Sequence, residues 1–177
     1  MFKVESGDGK ARTGILTTRH GKIETPFFMP VATKMTAKLI SPDELHFPDE
    51  KPKYVMGLGS PADVIKAVGE GIDIFDSCYP TRCARRSTAF TRKGRIGIER
   101  RIFQDDFTPF DEECDCLACR KYTKAYVHHL VRIKEPLGMR LMTLHNLRYM
   151  QRLIEDARTS IKEGSFESFS KDFLNQA

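Results

Sequence analysis

The chain has 177 residues, of which 40% are hydrophobic and 30% charged, with a formal net charge of +5 at pH 7. That length carries one core-bearing domain, or one and a half. No window approaches ~18 consecutive apolar residues, which excludes a membrane-spanning helix as the organising element.

The opening stretch, MFKVESGDGKART, lacks the basic-then-apolar layout of a secretory signal, so a cytoplasmic location is expected. In that reducing compartment the five cysteines read as thiols or metal ligands rather than disulfides. Up to Val31 the sequence alternates short strand-like runs with turn residues: FKVES, GDGK, then ARTGILTTRHGKIETPFFMPV. With Gly7, Gly9, Gly14 and Gly21 at the expected turns, the pattern predicts an antiparallel hairpin or meander. From Thr33 to Leu45 the text is ambiguous. Ser41, Pro42 and Glu44 have the order of a helix start, yet HFPDEKPK follows at once as loop.

A strand, helix, strand repeat comes next. KYVMGLG reads as a short, fully apolar strand, and Ser60 caps a helix that has Pro61 in its first turn. ADVIKAVGEG supplies that helix and its glycine stop, and IDIFDSC is a second buried strand. From Pro80 to Arg101, PTRCARRSTAFTRKGRIGIERR holds eight Arg or Lys residues against one acid, Glu99. Two readings stand for it: a phosphate-contacting surface, or a solvated basic loop paired with the acidic stretch QDDFTPFDEECD. After the cysteines, YTKAYVHHLVRIKE and RLMTLHNLRYMQRLIEDARTSIKEG have helical spacing. In the second, Leu144, Leu147, Met150, Ile154, Ala157 and Ile161 lie broadly on one side.

Cys114, Cys116 and Cys119, in CDCLAC, place three soft ligands on a tight loop, and tetrahedral zinc needs a fourth. His145, on the long helix at a position where an apolar residue would fit the stripe, is the preferred fourth ligand, with His128 and His129 as nearer competitors. Four protein ligands leave no open position for water, so the expected zinc is structural.

GIDIFDSCYPTR places Asp76 at the end of an apolar strand, just before the chain leaves for the basic stretch. Strand ends in parallel α/β proteins fix catalytic side chains while the adjoining loops vary. A carboxylate held there suits nucleophilic attack on an anomeric carbon. Asp73 is its rival, nearer the strand entrance, and a turn or cap role is the structural alternative for the strand-terminal Asp76.

The order KPKYVMGLGSP, GIDIFDSCYPTRCAR, CDCLACRKYTKAYVHHL and TLHNLRYM resembles the tRNA-guanine transglycosylases, which include the queuine tRNA-ribosyltransferases. The likeness runs from about Pro48 to the C-terminus and extends to GKARTGILTTRHGKIETPFFMPVATKMTAKLISPDEL. The resemblance implies an α/β fold, a zinc-bearing (β/α)8 TIM barrel that exchanges guanine in tRNA for a 7-deazaguanine such as preQ1 or queuine. By the same resemblance, Asp76 matches the nucleophile that forms a covalent adduct with the ribose. Met56 matches the methionine that stacks on the purine, with Gly57 beside it. Arg82 and Arg85 match arginines that meet the RNA backbone, and Cys114, Cys116, Cys119 and His145 match the zinc ligands.

One long family stretch, between KLISPDEL and HFPDEKPKYVMG, has no counterpart here. In the family it holds the middle of the barrel, the general-base aspartate and the segments that read the guanine edge. A complete barrel takes about 250 residues. The expected fold is therefore an incomplete barrel with an N-terminal antiparallel hairpin and a C-terminal zinc-binding helical lobe. Residues 1–110 are assigned to the partial barrel and 111–177 to the zinc subdomain with its helices. The expected partners are tRNA, the 7-deazaguanine base, and either a second copy or a complementary barrel-supplying subunit, with no membrane involvement. The alternative is a zinc- and tRNA-binding accessory subunit without catalysis.

Overall fold

A computed structural model describes residues 1–30 and 50–176. In chain order its strands are β1 (Phe2–Asp8), β2 (Ala11–Thr18), β3 (Gly21–Thr25), β4 (Phe27–Pro30), β5 (Tyr54–Met56), β6 (Ile74–Ser77), β7 (Thr88–Thr91) and β8 (Gly94–Gly97). The helices are α1 (Pro61–Gly69), α2 (Tyr79–Arg85), α3 (Leu117–Lys121), α4 (Lys124–Arg132), α5 (Pro136–Lys162) and α6 (Phe166–Gln176). No described helix is long and apolar enough to cross a membrane. The ambiguous stretch from Thr33 to Leu45, with its expected helix start at Ser41, lies outside the described residues, as does the beginning of the loop after it. The chain forms two compact units, one built on Met1–Cys78 with Gln151–Asn175 and the other on Tyr79–Met150. Those cuts fall at 78/79 and 150/151, where the sequence suggests 110/111.

In the first unit, β1, β2 and β3 make the expected antiparallel meander in that order. Gly9, at φ +59°, turns the chain between β1 and β2. Gly14 is not a turn residue. It lies inside β2 opposite Val4 and Thr25, and a Cβ there would stand 2.6 Å from the Lys3 carbonyl oxygen and 2.8 Å from the Phe2 ring. Glycine is needed at that position because the neighbouring strand approaches too closely for a side chain. Gly7 likewise sits within β1.

The strand, helix, strand repeat forms as β5, α1 and β6. Ser60 Oγ accepts from the Asp63 N–H at 3.2 Å and donates to the Asp63 carboxylate at 2.6 Å, closing the first turn of α1. Val64, Ile65, Ala67 and Val68 form the buried face of α1. β6 is the middle strand of a parallel sheet ordered β4, β6, β5, which is why all four of its residues are buried. β5 departs from expectation: Tyr54 is 39% and Met56 47% exposed. It is an edge strand, with no further strand paired to it among the described residues. Leu153, Ile154, Ala157 and Ile161 of α5 are buried in this unit, and α6 is tied to it where the Phe166 N–H donates to Asp8 Oδ2 at 2.9 Å.

The second unit corrects the reading of the basic stretch as loop. Residues from Tyr79 to Gly97 form α2 and a β7–β8 hairpin in which Ala89 faces Ile96 and Phe90 faces Arg95. The charges at Arg92, Lys93 and Arg95 are exposed, while Ala89, Phe90 and Ile98 are buried beneath them. The core joins Ala84, Ala89 and Ile98 to Phe103 and Phe110, to Val127, Leu130 and Val131 of α4, and to Leu141 and Met142 of α5. Each fully buried aliphatic or aromatic side chain of this kind contributes about 1.5–3 kcal/mol. The α5 stripe also differs from expectation at its start. Leu144 is exposed, and the buried face there runs Leu141, Met142, His145, Asn146.

Candidate metal centre and strand-end carboxylate

The three cysteines lead into α3. Cys116 occupies its N-cap, with Sγ accepting from the Cys119 N–H at 3.4 Å, so the short helix holds two of the thiols at its first turn. His145 comes up from the buried face of α5. Its Nδ1 lies 3.7 Å from Cys114 Sγ, 3.7 Å from Cys116 Sγ and 3.3 Å from Cys119 Sγ, and the four ligand atoms all fall within 4.8 Å of one another. Ordinary Zn–S and Zn–N bonds in a tetrahedron separate sulfur from nitrogen by about 3.6 Å, so one ion fits these atoms.

The imidazole is prepared for that role. His145 Nε2 donates to the Phe90 carbonyl at 2.6 Å, which puts the ring proton on Nε2 and leaves Nδ1 with its lone pair toward the sulfurs. The Phe110 ring packs on the imidazole with centroids 4.9 Å apart. Of the competing histidines, His128 is buried with Nδ1 bonded to the Ile98 carbonyl at 2.7 Å, and His129 is exposed on α4; neither joins the cluster.

Cys116 and Cys119 do not ionise alike. Hydrogen bonding to Cys114 and then to Cys119 pulls Cys116 down to about 3. Cys119 is pushed far above the thiol range by Cys114 first and Cys116 second. Crowded sulfurs favour one negative charge, at Cys116, and disfavour a second beside it, at Cys119. A dication removes that repulsion, and this thiolate-rich donor set is the one zinc takes.

Asn146 escaped the sequence reading. It is fully buried, and its Oδ1 accepts from the Phe90 N–H at 2.9 Å. Its Nδ2 donates to the Pro80 carbonyl at 3.0 Å and the Thr88 carbonyl at 2.9 Å. Arg82 and Arg85 are exposed on α2, the helix that carries Pro80. The expected pairing of the basic stretch with the acidic one is made by Arg92, 2.7 Å from Glu113 and 4.0 Å from Asp111.

In the first unit, the parallel register sets Met56 beside Asp76 and Met29 beside it on the other flank. Asp76 is 6% exposed. Its Oδ1 accepts from the Tyr54 hydroxyl and from the Gly57 N–H, the latter at 3.3 Å. Gly57, at φ +80°, turns its amide back toward β6, a conformation that favours glycine. Among the described residues Oδ2 has no hydrogen-bond partner. The rival carboxylate is used up: Asp73, fully buried, takes a bidentate grip from Arg12, with Nε to Oδ1 at 3.2 Å and Nη2 to Oδ2 at 2.8 Å. The Lys53 N–H adds a third bond to Asp73 at 2.7 Å.

Tyr54 was also missed. Its bond to Asp76, with burial and the carboxylate charge adding to it, raises the phenol to about 12. Strand alternation holds the signal, since Tyr54 lies two residues before Met56 and so on the same face.

A sequence model of the family described as queuine tRNA-ribosyltransferase matches residues 8–48 and 45–177. The chain belongs to the queuine tRNA-ribosyltransferase family. It is 49% identical over 129 residues to a queuine tRNA-ribosyltransferase of Dictyoglomus turgidum, a match covering 73% of this chain and 33% of that protein. The Zymomonas mobilis protein of the same name is 49% identical over 126 residues, covering 71% of this chain and 33% of the relative. That of Fusobacterium nucleatum is 46% identical over 129 residues, covering 73% and 35%. The chain thus matches about a third of the length of these curated relatives. The two family matches meet at residues 45–48, where KLISPDEL gives way to HFPDEKPKYVMG.

Proposed function

We propose that this chain is the zinc-bearing and nucleophile-bearing part of a tRNA-guanine transglycosylase, active when the missing middle of the barrel is supplied by a complementary polypeptide. The observation that carries the reading is Asp76, buried on the central strand with Oδ1 tied by Tyr54 and Gly57 and Oδ2 left without a described partner. In this scheme Oδ2 attacks the ribose C1′. The C1′–N9 bond breaks, its electron pair leaves with guanine, and the guanine takes its proton from the barrel segment outside this chain. A 7-deazaguanine, preQ1 or queuine, then gives its N9 proton back to that same barrel segment, attacks C1′ through N9 and displaces the carboxylate, so two inversions give retention. The fixed carboxylate stabilises the oxocarbenium character of both transition states. Met56, exposed beside Asp76, offers a thioether for the base to stack on, with Gly57 beside it.

Zinc, when bound by Cys114, Cys116, Cys119 and His145, supplies structural closure with no open coordination position. Arg82 and Arg85 meet tRNA phosphates, which orients the nucleotide without reading its sequence. The setting is cytoplasmic, where tRNA and the deazaguanine base are met, and the incomplete (β/α)8 barrel is completed by the complementary subunit or in a homodimer.

The second reading, an accessory zinc- and tRNA-binding subunit without turnover, is favoured by the parallel sheet, which has three strands among the described residues. One assay separates the two. Purified chain, with and without the central stretch of the Dictyoglomus turgidum relative, is incubated with tRNA and labelled guanine, and Asp76→Asn is run beside it. Incorporation by the supplemented wild type alone supports the transglycosylase. No incorporation in any mixture, with tRNA binding intact, leaves the accessory role.

A further inference from the structure

Asn146 follows the metal-ligating His145 directly on α5, and the pair holds both ends of one peptide residue. His145 Nε2 donates to the Phe90 carbonyl at 2.6 Å, and Asn146 Oδ1 accepts from the Phe90 N–H at 2.9 Å. The remaining amide group spans two elements, with Nδ2 donating to the Pro80 carbonyl of α2 and to the Thr88 carbonyl of β7. Of the four hydrogen bonds an asparagine side chain can make, three are made here. The side chain is fully buried, so no water replaces a lost partner.

We infer that Asn146 is a positioning residue that transmits the geometry of the metal centre to α2, and so to the Arg82 and Arg85 side chains that meet tRNA phosphates. The inference rests on the proposed function. A metal that fixes His145 fixes the turn of α5 on which Asn146 sits, and with it the carbonyl at the first turn of α2. The chemistry of the three contacts explains the residue type. Two carbonyls require a donor and one N–H requires an acceptor, which a carboxamide satisfies and a carboxylate of the same shape does not.

The test compares zinc-loaded full-length wild type, Asn146→Asp and Asn146→Ala by metal analysis, amide hydrogen exchange and tRNA titration over a salt series. Zinc content is expected to stay at the wild-type level in all three, since no ligand changes. Amides of α2 and β7 in Asn146→Asp are expected to exchange about tenfold faster, with those of α3 and α4 unchanged. Affinity for tRNA falls, and the slope of log K against log salt shrinks by about 2 as two phosphate contacts are lost. Unchanged exchange in α2 and β7 overturns the inference whatever the RNA does. Faster exchange with wild-type affinity and slope overturns the role in RNA positioning. If wild type itself shows no salt-dependent tRNA binding, the proposed function falls, and the exchange data still judge the clamp. Should neither variant accumulate, wild-type exchange decides: the Phe90 amide and those of α2 must open with one common rate, and independent rates overturn the inference.

Discussion

The two compact units solve the problem of holding polar groups away from water in different ways. In the second unit, Tyr79–Met150, the ligand set is complete: three sulfurs and one nitrogen converge, the histidine tautomer is fixed by a backbone carbonyl, and the neighbouring asparagine ties the hairpin. In the first, the buried charges are anchored at both ends of β6, and the sheet around them has three strands among the described residues. Asp73 is saturated by Arg12 and a backbone amide, while Asp76 has one oxygen without a partner among the described residues, on a strand whose neighbour β5 is half exposed. The difference teaches where stability and chemistry part. A saturated charge holds the fold, and an unsaturated one held just as firmly is the kind of group the proposed transfer would use.

The largest expected effect comes from removing one metal ligand. Structural zinc sites contribute about 10–16 kcal/mol of coupled binding and folding in small domains. Cys116→Ser is therefore expected to lose zinc and to loosen the second unit, with rapid exchange of the α3, α4 and β7 amides. The first unit keeps its exchange protection, because its cohesion comes from α1, β6 and the buried half of α5. Full zinc retention by Cys116→Ser, measured by metal analysis, breaks the assignment of ligands.

The next test addresses the first unit. Arg12→Met removes the guanidinium and leaves Asp73 charged and fully buried, which costs about 3–5 kcal/mol. Urea unfolding followed by far-UV dichroism measures it. The double variant Arg12→Met/Asp73→Leu recovers most of the loss, since the uncompensated charge is gone. A single variant within about 1 kcal/mol of wild type shows that the pair is not what holds the strand entrance.

These two cases also show what the sequence discloses. Cys114, Cys116 and Cys119 were legible because thiol spacing within six residues is itself the chemistry. His145 was legible as the polar break in an apolar stripe. The place of Asp76 near the end of a buried strand was legible from the apolar run, but not the ion pair of Asp73, because Arg12 is 61 residues away. Asn146 carried no signal, since a single amide on a helix reads as a surface residue until its three partners are brought to it. The basic stretch hid its hairpin for a related reason: turn charges at Arg92 and Lys93 outweigh in composition the short buried run Ala89–Phe90 that folds it.

A smaller effect sharpens the proposal that Asp76 is the nucleophile. Tyr54→Phe removes one of the two bonds to Asp76 Oδ1, and a hydrogen bond to a charged group is worth about 1.5–3 kcal/mol. Exchange of labelled guanine by the supplemented chain is expected to fall about tenfold, with stability near wild type because Tyr54 is partly exposed. The phenol gives a second readout. Its folded value, about 12, lies above the ordinary 10, so the stabilisation is complete below pH 10 and is lost as the pH rises through 12. Ultraviolet titration should show one late tyrosine that disappears in Asp76→Asn. A spectrum unchanged by that substitution separates Tyr54 from Asp76 and removes the basis for assigning the attack to Oδ2.

The smallest effect lies in the second unit, at the start of α4. Asp106 accepts from Thr108 Oγ1 at 2.5 Å and from Lys124 Nζ at 2.9 Å, and the Ala125 N–H bonds its backbone carbonyl at 2.8 Å. Burial alone would raise the carboxyl, but the bonds from Thr108 and Lys124 outweigh it and hold it below its usual value. A lowered carboxylate stabilises the fold above its ordinary range and loses that contribution as the pH falls through the folded value. Lys124→Met is therefore expected to cost about 0.5–1 kcal/mol at neutral pH, the scale of a partly exposed pair. The gap between variant and wild type should narrow on acidification and under added salt, both read as urea midpoints. A gap that stays constant into the acid limb, where Asp106 is protonated in both proteins, assigns the cost to lost packing of the Lys124 stem, not to its charge.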